Sequence, residues 1–352
     1  MRTLFCSLIG LAGLGVSTLF AGHVERAESV PKSPTPALKS APSLALARKT
    51  AERGLAFLEQ DAIKWRKEHV CASCHQGTMT VWAMCEAKSH GYAVSAESVA
   101  ETVKWHTDRL KDIDKPRDSR PGYNMVSTPA VFIALMARAN PGQDVYSTEE
   151  LKRVTGHLLS RQEADGNWAW SIAPAQNRPP PVFESDEVVT LMATLDLAPY
   201  APANATGKSE VRESCEKAAS WLAKTGPTDT TQAAAFRLLR NVWAKRPERD
   251  LRKEIEQFEA RQNSDGGWSQ VKGLPSDAYA TGQALYILSL VGVRSDRAPI
   301  QKGVAFLAST QNEDGSWPMT PRAQPGATPS KNPSPIIYFG SAWATMGLMR
   351  SG

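Results

Sequence analysis

Histidine and cysteine are scarce in this chain, six and five among 352 residues. A chain this long folds without disulfide staples, so so few cysteines argue against a disulfide-built scaffold and make any meeting of the two residue types informative. Long blocks of Lys or Arg are missing too, and the net charge is only +5. The basic balance therefore gives no reason to expect a nucleic-acid partner. Apolar material is not scarce: 41% hydrophobic residues are enough for a core, which excludes disorder over the bulk of the chain.

The start of the chain has the layout of an export signal. Met1 and Arg2 precede an apolar stretch from Leu4 to Phe20, and Ala21 offers a small residue at a cleavage point. Residues 1–21 are thus expected to be a signal peptide, and residues 22–43, rich in Pro and Ser, a linker. This predicts an extracytoplasmic or periplasmic protein whose folded domain spans 44–352. An uncleaved anchor is the alternative reading. Without the signal four cysteines remain, Cys71, Cys74, Cys85 and Cys215.

One pattern recurs. Gln162-Glu-Ala-Asp-Gly166-Asn-Trp168, Gln262-Asn-Ser-Asp-Gly266-Gly-Trp268 and Gln311-Asn-Glu-Asp-Gly315-Ser-Trp317 share Gln-x-x-Asp-Gly-x-Trp. The tryptophans are 100 and 49 residues apart, a period near 50 with one degenerate copy. Each copy follows an amphipathic helix, which Asp-Gly ends because Gly tolerates the left-handed backbone of a helix terminus. Each is followed by a segment apolar nearly all round, as a buried helix requires: Ser185 to Leu197, Ser276 to Val291 and Ile336 to Met349. Extending the period predicts six helix pairs. Outer helices start near Leu44, Ala96, Thr148, Glu210, Arg249 and Ile300, and inner helices near Thr78, Val126, Asp186, Thr228, Asp277 and Ile337. One pair cannot bury its own apolar faces, so neighbours must stack, and six can close into a ring. An open solenoid is the alternative.

Lys302-Gly303-x-x-Phe306-Leu307-x-x-x-Gln311-x-x-x-Gly315-x-Trp317 resembles the QW repeat of squalene and oxidosqualene cyclases and of protein prenyltransferase β subunits. The resemblance implies an all-α, α6/α6 toroid in which Gln and Trp tie adjacent outer helices together. Gln162, Gln262, Gln311 and their tryptophans then have structural roles. The length leaves no room for the second toroid of a full squalene cyclase, and no prenyltransferase zinc site is visible.

Cys71-Ala-Ser-Cys74-His75 is the c-type haem attachment signature. Two thiols three apart reach the two vinyl groups of one porphyrin edge, and the next residue stands beneath the iron. The expectation is covalent haem c on Cys71 and Cys74 with His75 as proximal ligand, at one mouth of the toroid. Met125 is the candidate sixth ligand, with Met79, Met84, His69, His90, His106 and His157 behind it; for each of these, core packing or a solvated surface is the plain alternative. The same residues also allow a Cys71–Cys74 redox pair, a zinc site with His69, or a structural disulfide.

Class II terpene cyclases protonate their substrate from Asp-x-Asp-Asp at the start of an inner helix. Nothing here matches in full; Glu184-Ser-Asp186-Glu187 comes nearest, and clustered carboxylates can share a proton. Helix capping accounts for the same residues. Trp82, Phe132, Tyr279, Phe339 and Trp343 fall on inner helices and are candidates to line a cavity. Three functions follow: an exported haem-binding toroid with a redox partner and a lipid-like ligand, a terpene-cyclase-like enzyme with Asp186, Glu184 and Glu187 as its acidic cluster, or a non-catalytic scaffold. The partners are a redox protein or a hydrophobic small molecule, with room for association with a membrane surface.

Overall fold

A computed structural model describes residues 41–69, 74–110, 128–143, 145–169, 185–200, 209–319 and 333–352. The export signal and nearly all of the linker lie outside them. Among the described residues twelve α-helices follow one another: α1 (Ala41–Glu68), α2 (Thr80–Ser89), α3 (Ala96–Leu110), α4 (Thr128–Ala139), α5 (Thr148–Ser160), α6 (Asp186–Leu197), α7 (Glu210–Lys224), α8 (Thr231–Trp243), α9 (Glu248–Glu259), α10 (Ala278–Leu290), α11 (Ala298–Thr310) and α12 (Ser334–Met349). Among the described residues there is no strand, only a lone antiparallel bridge between Thr230 and Val271. No described helix is long and apolar enough to cross a membrane.

Odd and even helices differ as their sequences require. The odd ones are half-exposed: α9, for instance, buries only Phe258 fully. The even ones are buried almost throughout, as in α10 from Ala278 to Leu288. The even helices contact one another in the order α4–α6–α8–α10–α12–α2, and the π-helical turn Cys74–Met79 that leads into α2 completes the circle against α4. The result is the α/α toroid, closed rather than open.

The Gln-x-x-Asp-Gly-x-Trp segments make the links. Gln162 Nε2 donates to Gly166 O and to Ser214 O of α7, Gln262 Nε2 to Gly266 O and to Pro299 O of α11, and Gln311 Nε2 to Gly315 O and to Thr50 O of α1, at 2.8–3.0 Å. The last of these joins the sixth pair to the first. Gly315 has φ +89, and a Cβ there would stand 2.3 Å from Arg53 O, so both the left-handed backbone and the close approach of α1 demand glycine. The indole N–H of Trp168, Trp268 and Trp317 donates to the carbonyls of Leu158, Phe258 and Leu307.

Predicted helix starts agree with the observed ones to within about three residues, apart from the first inner helix, where the π-helical turn begins four residues early. That turn absorbs the second half of the Cys71–His75 motif. α1 also begins at Ala41, inside the expected linker.

Candidate functional site

The tryptophan links fix how the inner helices are rotated. The backbone N–H groups of Trp168, Trp268 and Trp317 donate to Thr190 Oγ1, Thr281 Oγ1 and Ser341 Oγ, at 3.1, 2.8 and 3.0 Å. Those three hydroxyls mark the outward side of α6, α10 and α12. An α-helix turns about 100° per residue, so residues two before, two after and five after each mark face the axis of the ring. They are Val188, Met192 and Leu195 on α6, Tyr279, Gln283 and Tyr286 on α10, and Phe339, Trp343 and Met346 on α12. All nine are buried.

Contacts between inner helices that are not neighbours in the ring confirm this facing. Phe132 of α4 meets Phe339 of α12 at 6.1 Å between centroids, and Trp82 of α2 meets Tyr286 of α10 at 5.7 Å. Trp82 also lies 6.0 Å from Phe132 and 5.2 Å from Trp343. These rings meet edge-on or tilted, as quadrupoles prefer. The axis is thus an aromatic cluster, and four of the five aromatics picked out in the sequence are in it. Tyr279 is the fifth: its hydroxyl accepts from Gln232 Nε2 of α8 at 2.8 Å.

At the C-terminal ends of the inner helices the axis becomes polar. Glu86 is fully buried on α2. Its Oε1 accepts from Tyr286 OH at 2.5 Å, Asn140 Nδ2 at 2.8 Å and Arg350 Nη2 at 3.1 Å, and its Oε2 lies 2.8 Å from Arg350 Nε. Burial and then the Glu86 carboxylate hold the Tyr286 hydroxyl well above its ordinary pKa, so it stays a donor. On α6, Asp196 is buried with no hydrogen-bond partner for either oxygen. Burial raises its pKa well above the usual carboxylate range, against the opposing pull of Arg138. Sequence reading missed Glu86, Asn140, Asp196 and Arg350; no periodicity or motif marks them.

The first repeat holds further polar groups. Thr78 Oγ1 and Tyr146 OH lie 2.9 and 2.7 Å from the two ring nitrogens of His106, whose pKa burial lowers to about 4. Gln76 Nε2 donates to Asp61 Oδ2 at 2.9 Å, and Tyr338 OH donates to Leu58 O at 3.0 Å. The thiols of Cys85 and Cys215 are free, and burial pushes them up to about 12 and about 11, so neither is a ready nucleophile.

The acidic cluster divides. Glu184 lies outside the described residues. Glu187 is spent on structure: its Oε2 accepts from Thr228 N at 2.6 Å and its Oε1 pairs with Arg237 at 2.5 Å, joining α6 to α8. Ser185 caps α6 by accepting from Val188 N. Asp186 stands four residues before Thr190, just as Asp277, the N-cap of α10, stands four before Thr281. As the first residue of α6, beside the Ser185 cap, it lies on the outward side with Thr190 rather than on the axis-facing one.

Of the haem motif, His75 alone has a described side chain. It is 8% exposed, edge-on to Trp65 of α1 at 4.9 Å and to Phe339 at 6.0 Å. Burial, and then His69, lower its pKa to about 4. His69 itself stacks on Trp65 at 3.6 Å. Cys71 and Met125 lie outside the described residues, and Cys74 is described by its backbone alone. Among the described residues no group of three or more His, Cys, Asp or Glu could hold a metal ion.

Known proteins are similar to this chain in sequence over its C-terminal part and in fold over most of its length. Residues 225–352 match the squalene-hopene cyclase C-terminal domain. The squalene–hopene cyclase of Zymomonas mobilis is 34% identical over 91 residues, and that of Bradyrhizobium diazoefficiens 32% over 91 residues. Each match covers 26% of this chain and only 14% of the relative. The type II terpene cyclase MstE from Scytonema, in an Asp-to-Asn variant bound to geranylgeranyl dihydroxybenzoate, superposes with a TM-score of 0.52 at 15% identity, covering 88% of this chain and 98% of that one. Its Tyr-to-Phe variant gives the same figures. These similarities lead to cyclases and not to cytochromes, and they overturn the expectation of a haem-binding redox protein with a redox partner. The ring has the terpene-cyclase fold, and residues 225–352 within it are similar to the squalene-hopene cyclase C-terminal domain.

Proposed function

We propose that this chain is a terpene-cyclase-like protein that takes a hydrophobic, isoprenoid-type small molecule onto the axis of its helical ring. The observation that carries this reading is the cluster of Trp82, Phe132, Tyr286, Phe339 and Trp343, drawn from four inner helices onto one axis. Aromatic faces give a polyprenyl chain a large apolar contact area, and their negative π-faces stabilise positive charge developing along it by about 0.5–2 kcal/mol per ring. The bound ligand of the Scytonema enzyme, a geranylgeranyl compound, is of this class.

Cyclisation also requires a proton donor. Asp186 is the residue the sequence offers, but its outward register at the start of α6 and the engagement of Glu187 support binding of the substrate class more than protonation from that cluster. The test is titration of the purified full chain with squalene delivered from cyclodextrin, followed by tryptophan fluorescence, with product analysis by gas chromatography. Saturable quenching that weakens about tenfold or more in Trp343→Ala is expected. Product that disappears in Asp186→Asn would assign the acid as well. Absence of any saturable quenching overturns the reading and leaves the ring as a scaffold.

A further inference from the structure

Each axis-facing layer mixes residues from several inner helices, and the middle one contains an anomaly. Met192 of α6 and Trp343 of α12 occupy the same register as Gln283 of α10, a fully buried amide. Neither Gln283 Oε1 nor Gln283 Nε2 has a hydrogen-bond partner, and neither does Trp343 Nε1. The two side chains spring from touching backbones: a Cβ on Gly282 would stand 2.3 Å from Trp343 C and from Ala344 N. The tyrosines flanking Gln283 do not supply partners, because Tyr279 is engaged by Gln232 and Tyr286 by Glu86. Leucine would fill this place without an unmet amide, so burying a glutamine here makes the apoprotein less stable than it need be.

We propose that Gln283 and the indole N–H of Trp343 form a subsite for one uncharged oxygen, a hydroxyl or a carbonyl, carried by an otherwise apolar ligand. The chemistry of the pair sets this class. Two N–H donors and one carbonyl acceptor suit an oxygen that accepts from the donors and, as a hydroxyl, also donates to Gln283 Oε1. Met192 and Trp343, which share this register with Gln283, carry no charge to balance a carboxylate or diphosphate. The inference rests on the proposed axial ligand but narrows it: a pure hydrocarbon leaves the amide unmet, whereas an oxygenated isoprenoid does not.

The experiment compares geranylgeraniol with the hydrocarbon that lacks only its hydroxyl, by calorimetric titration into the full chain and into Gln283→Leu and Trp343→Phe. The unmodified chain is expected to favour the alcohol about tenfold, in line with sites built to hydrogen-bond a hydroxyl. Gln283→Leu, melting at or above the temperature of the unmodified chain, should bind both alike, and Trp343→Phe should show a reduced preference. Equal binding of both ligands by the unmodified chain, or a preference that survives in Gln283→Leu, overturns the subsite and leaves the axial-ligand reading standing. Failure of the unmodified chain to bind either ligand overturns both.

Discussion

The pairs that end in α6, α10 and α12, and the pair that begins with α1, meet the same packing requirement by different means. In the first group a single segment makes every link: Gln to the next outer helix, Gly where that helix comes too close for a Cβ, Trp to the carbonyl behind and the hydroxyl ahead. In the first pair no such segment exists. α1 runs on to Glu68, a π-helical turn leads into α2, and dispersed polar contacts from Gln76, Thr78 and Glu86 hold this pair to its neighbours. These three pairs repeat one set of links; the first pair has its own, and the polar end of the axis begins in it. π-helical turns within helices recur at functional sites, in keeping with that division.

The largest effect is expected in the regular part. Trp317 is fully buried and packs against Gly54 of α1, so Trp317→Ala removes the wedge between the sixth pair and the first. Urea denaturation should show a loss of about 3–5 kcal/mol. Trp168→Ala, at an equivalent but internal link, should cost a similar amount. If Trp317→Ala costs less than about 1 kcal/mol while Trp168→Ala costs several, ring closure does not depend on the repeat.

A somewhat smaller loss belongs to the bespoke part. Arg350→Met leaves Glu86 buried and without its cation, at a cost of about 2–4 kcal/mol. Because one buried network joins the two, the double variant Glu86→Gln, Arg350→Met should be more stable than the sum of its single changes implies by about 1 kcal/mol or more. Strict additivity would show that Arg350 acts only through its packing on Tyr286, whose ring lies 4.9 Å away.

What the sequence discloses follows the same division. The toroid, the six pairs and most helix starts were legible because their signals are local and repeated: a glycine at a left-handed turn, a tryptophan at fixed spacing, an apolar face of constant period. Four of the aromatics on the axis were legible for the same reason. Gln283, Glu86 and Arg350 were not, because what makes them unusual is which distant residue each meets or fails to meet. Cys71–His75 misled in the opposite way. Its spacing is a strong local pattern, whereas His75 packs on Trp65 and Phe339 in the fold, and residues 225–352 are similar to the squalene-hopene cyclase C-terminal domain rather than to a cytochrome.

The smallest effect has the opposite sign and tests the buried carboxyl at the end of α6 by pH. Asp196 keeps its proton in the folded chain to a higher pH than in the unfolded one, because burial disfavours its charge more than Arg138 favours it. At about pH 3 and below both states are largely protonated and the group is neutral in its effect. As pH rises the unfolded chain releases the proton first, so stability falls toward the folded-state pKa. Asp196→Asn cannot titrate. It should therefore match the unmodified chain near pH 3 and exceed it by about 1–2 kcal/mol at pH 7, the difference growing across that interval. Equal stability at both pH values would mean that Arg138, held over Trp243 at 3.9 Å, already compensates an ionised Asp196. The carboxyl would then be half of an ion pair, of the kind that Glu86 makes with Arg350, and not a buried acid.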